Sequence, residues 1–283
     1  METILTYVSV SLCGPLFVKI GISGNDMHKR DKPVLPEAMG LVAGVVLCLF
    51  MRQPPVLLCT MMGLWIGALD DLIDLRWRYK LLLCALAYVP LYKNLTTVVL
   101  FGKFIYLGPL YHVYMILWCM WCGNAINIHA GINGLEVGQT IVIALGLLPI
   151  IDDTPTLMSY ICVAAGLLAL NWYPSIVFVG DSWCYMSGMF FVSIAQHETE
   201  TLAFFMLPQI ANTLLSLPEL LGECPRHRMP KYDAKKDVLF ASGKGTLMNV
   251  ILTITGPMHE KKLLWILLTI QVVCVFIGYE FKS

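Results

Sequence analysis

Charged residues are scarce. Lys, Arg, Asp and Glu make up 13% of the 283 residues, about half the share of an ordinary soluble domain. That shortage excludes intrinsic disorder and a charge-laced coiled coil. The chain also lacks net charge, with 19 basic and 19 acidic residues. Nothing in that balance points to nucleic acid, and no run of like charges forms a tail. Tandem repeats, low-complexity tracts and a separate soluble segment are missing too. So is a basic region ahead of the first apolar run, which therefore reads as a span and not as a cleavable signal. The ten cysteines fall almost all within apolar runs, where cysteine acts as a small hydrophobe. Cys119 and Cys122 form a CxxC inside one such run, which argues against a redox or metal role.

What is abundant is apolar surface. Hydrophobic residues make up 58% of the chain. A membrane-crossing helix needs about 20 residues, so ten would use about 200 positions and leave short loops. Ten candidate spans stand out, at 3–22, 38–52, 55–70, 80–93, 109–126, 138–151, 157–174, 183–197, 201–221 and 263–281. The sequence predicts an all-α polytopic integral membrane protein, with 1–283 as a single transmembrane domain. Its longest polar stretch is a loop at 222–262.

The basic residues orient the chain. With the N-terminus outside, fourteen of them fall in cytosolic loops: Lys29, Arg30, Lys32, Arg76, Arg78, Lys80, Arg226, Arg228, Lys231, Lys235, Lys236, Lys244, Lys261 and Lys262. Only Arg52, Lys93, Lys103 and Lys282 lie on the other side. The polar residues sort the same way, and the cytosolic face gathers the chemistry. The outer face offers little beyond a sequon at Asn94-Leu95-Thr96.

Four clusters on the cytosolic face stand out. Asp70, Asp71 and Asp74 end an apolar run and are followed by Arg76, Arg78 and Lys80. Three anions so close need a cation. Mg²⁺ with a phosphate substrate would supply one; a helix-capping cluster with a basic flank is the alternative. Asn124 and Asn127 stand one helical turn apart, ahead of Gly131, Asn133 and Glu136. The glycines admit a close backbone approach, and an amide at 133 can read a base edge; an interhelical turn is the competing reading. Asp181 follows a short apolar run and opens a span, as helix cap or as ligand. Finally, Arg226, His227 and Arg228 sit between Pro225 and Pro230, where arginine forks match phosphate oxygens. Together these are the parts of phosphoryl transfer from a nucleotide donor to a lipid.

The blocks DDLIDLRWRYK, NAINIHAGINGLEVGQT, NWYPSIVFVGDSWCYMSGM and CPRHRMP, in this order, resemble the polyprenyl-phosphate N-acetylhexosamine-1-phosphate transferase superfamily. The similarity is to its eukaryotic branch, the UDP-N-acetylglucosamine–dolichyl-phosphate N-acetylglucosaminephosphotransferases. It implies ten transmembrane helices in the endoplasmic reticulum membrane with a cytosolic active site. The implied reaction transfers GlcNAc-1-phosphate from UDP-GlcNAc to dolichyl phosphate, the first step of lipid-linked oligosaccharide synthesis for N-glycosylation. It further implies Mg²⁺, a homodimer and inhibition by tunicamycin.

By the same resemblance, Asn127 and Asp181 hold the metal, although the residues alone pointed to the Asp70–Asp71–Asp74 cluster. Lys80 binds phosphate. Asp70 and Asp71 stand at the acceptor, one as base or orienter. Gly131, Asn133 and Phe178 enclose the uridine, with Glu37 closing the pocket and Asn124 among the substrate-binding residues. Arg226, His227 and Arg228 meet the diphosphate and sugar. The chain departs from the family in His129, where an apolar residue is expected, and in a shortened loop at 231–256. Competing readings are another UDP-sugar or polyprenyl acceptor, an inactive scaffold, and a nucleotide-sugar transporter. The one-sided clustering of acids and the lack of an inverted repeat speak against transport.

Overall fold

The computed structural model describes residues 1–93, 95–220 and 229–282. Twelve α-helices, one 3₁₀ turn and three short hairpins account for the described elements. The helices are α1 (Glu2–Lys19), α2 (Met39–Phe50), α3 (Pro54–Ile73), α4 (Trp77–Leu86), α5 (Leu110–Ile128) and α6 (Leu135–Leu147). They continue with α7 (Thr154–Asn171), α8 (Gly180–Ile194), α9 (Thr199–Phe205), α10 (Leu207–Leu220), α11 (Leu247–Thr255) and α12 (Glu260–Glu280). Three of them, α3, α7 and α12, are long and apolar enough to cross a membrane, and the bent pair α9–α10 makes a fourth. The protein is a mostly helical, polytopic membrane protein.

Every apolar segment singled out in the sequence is helical, but two differ in form. The segment expected at 80–93 is a helix only to Leu86, followed by a single 3₁₀ turn at Val89–Leu91. Pro90 lies in that turn and cannot extend an α-helix. The segment expected at 201–221 is broken, with α9 and α10 meeting at 71°. Pro208 falls in the first turn of α10, the one place where its missing N–H costs nothing. The Phe205 carbonyl at the break accepts from Gln271 Nε2 of α12 at 2.5 Å. α11 is an addition that the sequence reading did not contain.

Local chemistry sets the helix ends. α3 starts on Pro54-Pro55 and stops at Asp74, which is left-handed at φ 49°. Asp153 caps α7 by accepting from the Thr156 N–H at 3.3 Å. The hairpins are β1 (Ser23–Asn25) with β2 (Val34–Pro36), β3 (Thr97–Leu100) with β4 (Lys103–Tyr106), and β5 (Lys231–Asp233) with β6 (Val238–Phe240), all antiparallel.

α8 is the axis of the bundle. Its residues from Ser182 through Ser193 are all buried, the mark of a helix surrounded by others. α3 and α5 pack along it. Tyr160 of α7 stacks on Phe190 at 4.4 Å between ring centres and donates to Ser187 Oγ at 2.7 Å. A buried amide layer joins α6, α10 and α12, where Gln209 Nε2 donates to Gln139 Oε1 at 2.6 Å and to Gln271 Oε1 at 2.7 Å. Interhelical amides of this kind hold helices together where hydrocarbon surrounds them. The first turn of the buried α8 opens at the polar end of the bundle, and Asp181 stands there.

Candidate active site

The site begins where α3 meets α8. Gly67 lets the two helices touch: a methyl group there would lie 2.3 Å from the Asp181 carbonyl oxygen and 2.4 Å from Ser182 Cα. One turn on, Asp71 reaches across and accepts from the backbone N–H groups of Asp181, at 2.7 Å, and Ser182, at 3.0 Å. A carboxylate on these amides satisfies orphan donors and complements the positive helix end. α8 is thus capped in trans by Asp71, and no side chain of its own N-cap residue does so. Asp181 itself opens the helix without capping it, and its carboxylate turns toward Asp70 and Lys80.

Asp70 is buried and pairs with Lys80 Nζ. Its Oδ1 also accepts from the Leu75 N–H at 2.9 Å, folding the chain back so that α4 can bring Lys80 in. Lys80 Nζ lies 3.9 Å from Asp181 Oδ2. One lysine therefore faces two carboxyl groups, Asp70 and Asp181, while Asp71 beside them is held by the α8 amides.

The end of α5 supplies amides. Asn124 Oδ1 accepts from the Tyr185 hydroxyl at 2.7 Å, and its Nδ2 donates to the Met120 carbonyl at 2.8 Å. Asn127 reaches the same hydroxyl. Tyr185 follows Asp181 by one turn on α8, so the hydroxyl that the two asparagines address lies on the same helix face as Asp181. Tyr185 was missed in the sequence, although its spacing of four from Asp181 on an apolar helix was a usable signal.

The remaining predicted residues form the adjoining wall. Gly131 has φ 121°, and a Cβ there would lie 1.8 Å from Met229 Cε. Only glycine fits this turn, and the chain directly after residues 226–228 rests on it. The Gly131 N–H donates to Glu136 Oε1 at 2.8 Å. Glu37 and Phe178 meet at Gly24, whose added Cβ would lie 3.2 Å from Glu37 Oε2 and 3.4 Å from the Phe178 ring. The Phe178 N–H donates to the Pro36 carbonyl at 2.8 Å. Burial raises the pKa of Glu37. The Asn133 amide is engaged by Asp26 and by the Ser175 N–H. Arg226, His227 and Arg228, like Asn94 of the sequon, lie outside the described residues.

His129 faces away from this chemistry. It is buried between α5 and α10, where Asn212 Nδ2 donates to the Ile128 carbonyl at 2.7 Å and Gln139 Nε2 to the His129 carbonyl at 3.1 Å. Burial lowers its pKa to about 4, against a partial offset from Asn212. An unfolded histidine titrates near 6.5, so between those values the unfolded chain binds the extra proton. Stability from this residue is complete above about pH 6.5 and is lost as pH falls toward 4, by on the order of 3 kcal/mol. Thermal melts in detergent will show this acid loss in the native chain and a flatter profile in His129→Gln. Equal profiles would contradict it.

Among the described residues, no three or more His, Cys, Asp or Glu gather as a closed metal site. The oxygens of Asp181 and Asn127 suit a hard cation that keeps its waters and takes further oxygens from a substrate.

Apposed helices thus gather a carboxyl cluster and a lysine at one end of a helical membrane protein. The chain belongs to glycosyl transferase family 4, whose profile matches residues 54–197. It is 34% identical to the UDP-N-acetylglucosamine–dolichyl-phosphate N-acetylglucosaminephosphotransferase of Dictyostelium discoideum, over 99% of this chain and 86% of that one. Enzymes of the same name from Schizosaccharomyces pombe (34%, 92% of this chain and 74% of that one) and Saccharomyces cerevisiae (32%, 81% and 68%) also match. The Dictyostelium alignment runs over 352 positions against 283 residues here, so the relative carries segments that this chain lacks. The family match spans the Asp70–Lys80, Asn124–Asn133 and Phe178–Asp181 blocks; Glu37 and residues 226–228 lie beyond it.

Proposed function

We propose that this chain transfers GlcNAc-1-phosphate from UDP-GlcNAc to dolichyl phosphate, giving GlcNAc-diphospho-dolichol and UMP. The observation that carries this reading is the division of labour at α8. Asp71 caps the helix, which leaves the Asp181 carboxylate beside Lys80 for the substrate.

A phosphate oxygen of the lipid attacks the β-phosphorus of the donor. The bond from that phosphorus to the bridging oxygen breaks, and UMP leaves with the electron pair. Lys80 holds diphosphate charge. Both oxygens of Asp71 are engaged by amides and Asp70 is paired with Lys80, which supports direct attack over an aspartyl intermediate. The acceptor is a monoester, largely ionised at neutral pH, and needs positioning more than activation. Asn127 and Asp181 would hold Mg²⁺, which would neutralise charge on the diphosphate. Arg226, His227 and Arg228 complete the diphosphate and sugar contacts.

The reading carries its setting with it. All 283 residues form one transferase domain with ten membrane passes in the endoplasmic reticulum. The carboxylates face the cytosol, the chain forms a homodimer, and tunicamycin inhibits it. Detergent-purified protein given UDP-GlcNAc, dolichyl phosphate and Mg²⁺ is expected to release UMP and form a chloroform-soluble GlcNAc lipid in equal amounts. Chelator and tunicamycin should stop both. Folded protein that makes neither product, but accepts another UDP-sugar or a shorter polyprenyl phosphate, would move the assignment within the family.

A further inference from the structure

Asn133 is gripped from three sides. Its Nδ2 donates to Asp26 Oδ2 at 3.2 Å, its Oδ1 accepts from the Ser175 N–H at 3.1 Å, and its own N–H donates to Glu260 Oε1 at 2.8 Å. These four residues are all buried. They come from four separate places: the turn after β1, the turn before α6, the link from α7 to α8, and the first turn of α12. One cation serves both carboxylates. Lys29 Nζ stands 2.5 Å from Glu260 Oε2 and 3.2 Å from Asp26 Oδ2, and 4.5 Å from the centre of the Tyr173 ring.

An ionised carboxylate only accepts hydrogen bonds, and a backbone N–H only donates. Set between Asp26 and Ser175, the Asn133 amide has a single favourable orientation. Turned over, it would point a lone pair at an anion and an N–H at an N–H. Lys29 pairs with both acids and so stands on the far side of the carboxylates from the amide. Among the described residues, two of the four hydrogen-bonding positions of the amide are used, which leaves one N–H and one lone pair.

We propose that Asp26, Lys29 and Glu260 are positioning residues that fix the polarity of the Asn133 amide and so set a preference for uracil over cytosine in the donor nucleotide. The inference rests on the reading above, in which Asn133 faces the nucleobase. Uracil offers an N3–H donor beside the O4 acceptor. Cytosine offers an N3 acceptor beside the N4 amino donor. The two edges are inverted, so one amide polarity matches one base and the reverse polarity matches the other.

The test uses the purified full chain, with UDP and CDP binding measured by calorimetry and transfer followed with UDP-GlcNAc. The native protein should bind UDP well ahead of CDP. Asp26→Asn replaces an obligate acceptor with a group that can also donate. It should raise KM for UDP-GlcNAc about tenfold, hold kcat within about twofold, and cut the UDP-over-CDP preference about tenfold. Lys29→Met should relax the preference in the same direction, and Lys29→Arg should retain it. Equal affinity for UDP and CDP in the native protein would overturn the inference without need of any variant. An unchanged UDP-over-CDP preference in folded Asp26→Asn or Lys29→Met would overturn it as well. A native protein that prefers UDP yet makes no lipid product would defeat the proposed function instead and leave the amide argument standing.

Discussion

Asp181→Ala is expected to lose transfer activity by about 10²–10³-fold, the scale of removing one preorganised charge-stabilising group, while keeping its fold. Two contacts separate the effects. The amides at the start of α8 are held by Asp71, so the helix keeps its cap when the Asp181 side chain is removed. Lys80 keeps Asp70 as its partner, so no buried lysine is stranded. Removing the Asp181 carboxyl also relieves its crowding against Asp70 and Asp71. The melting temperature should therefore hold or rise slightly. Asp71→Ala should behave differently, because it takes away the cap and costs about 1–2 kcal/mol of stability before any chemistry is considered. Single-turnover assays paired with thermal melts compare the two. An Asp181→Ala protein within tenfold of native activity would remove Asp181 from the site, and one that fails to fold would refute the division of labour.

The second large effect is predicted for a residue without functional groups. Gly67→Ala puts a methyl group 2.3 Å from the Asp181 carbonyl oxygen and 2.4 Å from Ser182 Cα. Both are backbone atoms of the capped first turn of α8 and cannot rotate away. α3 must shift relative to α8, and Asp70 and Asp71 shift with it. Overpacking of this kind costs about 1–3 kcal/mol, and a misplacement of about 1 Å at a reacting group costs about 10²-fold in rate. Activity should thus fall by about two orders of magnitude with every carboxylate, amide and lysine still present. Native activity together with an unchanged melting temperature would show that the contact between the helices is loose.

The helices were legible because their signal is local. The apolar run 55–70 sits within α3, and 263–281 matches α12 to its C-cap. α11 escaped because nine residues in a polar loop do not stand out at span length. The hairpins escaped because strands of three or four residues carry no period. In the site, the residue types and their grouping were readable, and the partners were not. Asp71 and Asp181 stand 110 positions apart in sequence, and no spacing rule says which of them caps α8. The capping alternative for Asp181 was chemically sound, and a second carboxylate arriving from another helix displaced it. Asn133 likewise looked like a free amide in a glycine-rich turn, because Asp26, Ser175 and Glu260 are remote in the chain.

Two of the apolar helices, α2 and α6, have 12 and 13 residues. At about 1.5 Å per residue they rise about 18–20 Å, while the hydrocarbon slab is about 30 Å deep. Both begin at the reactive corner, α2 just after Glu37 and α6 just after Asn133. Neither helix alone spans that depth, and the first turns of both stand beside the site residues. In the proposed reaction, helices this short keep the reacting groups within reach of a partner that arrives from the lipid and of one that arrives from water.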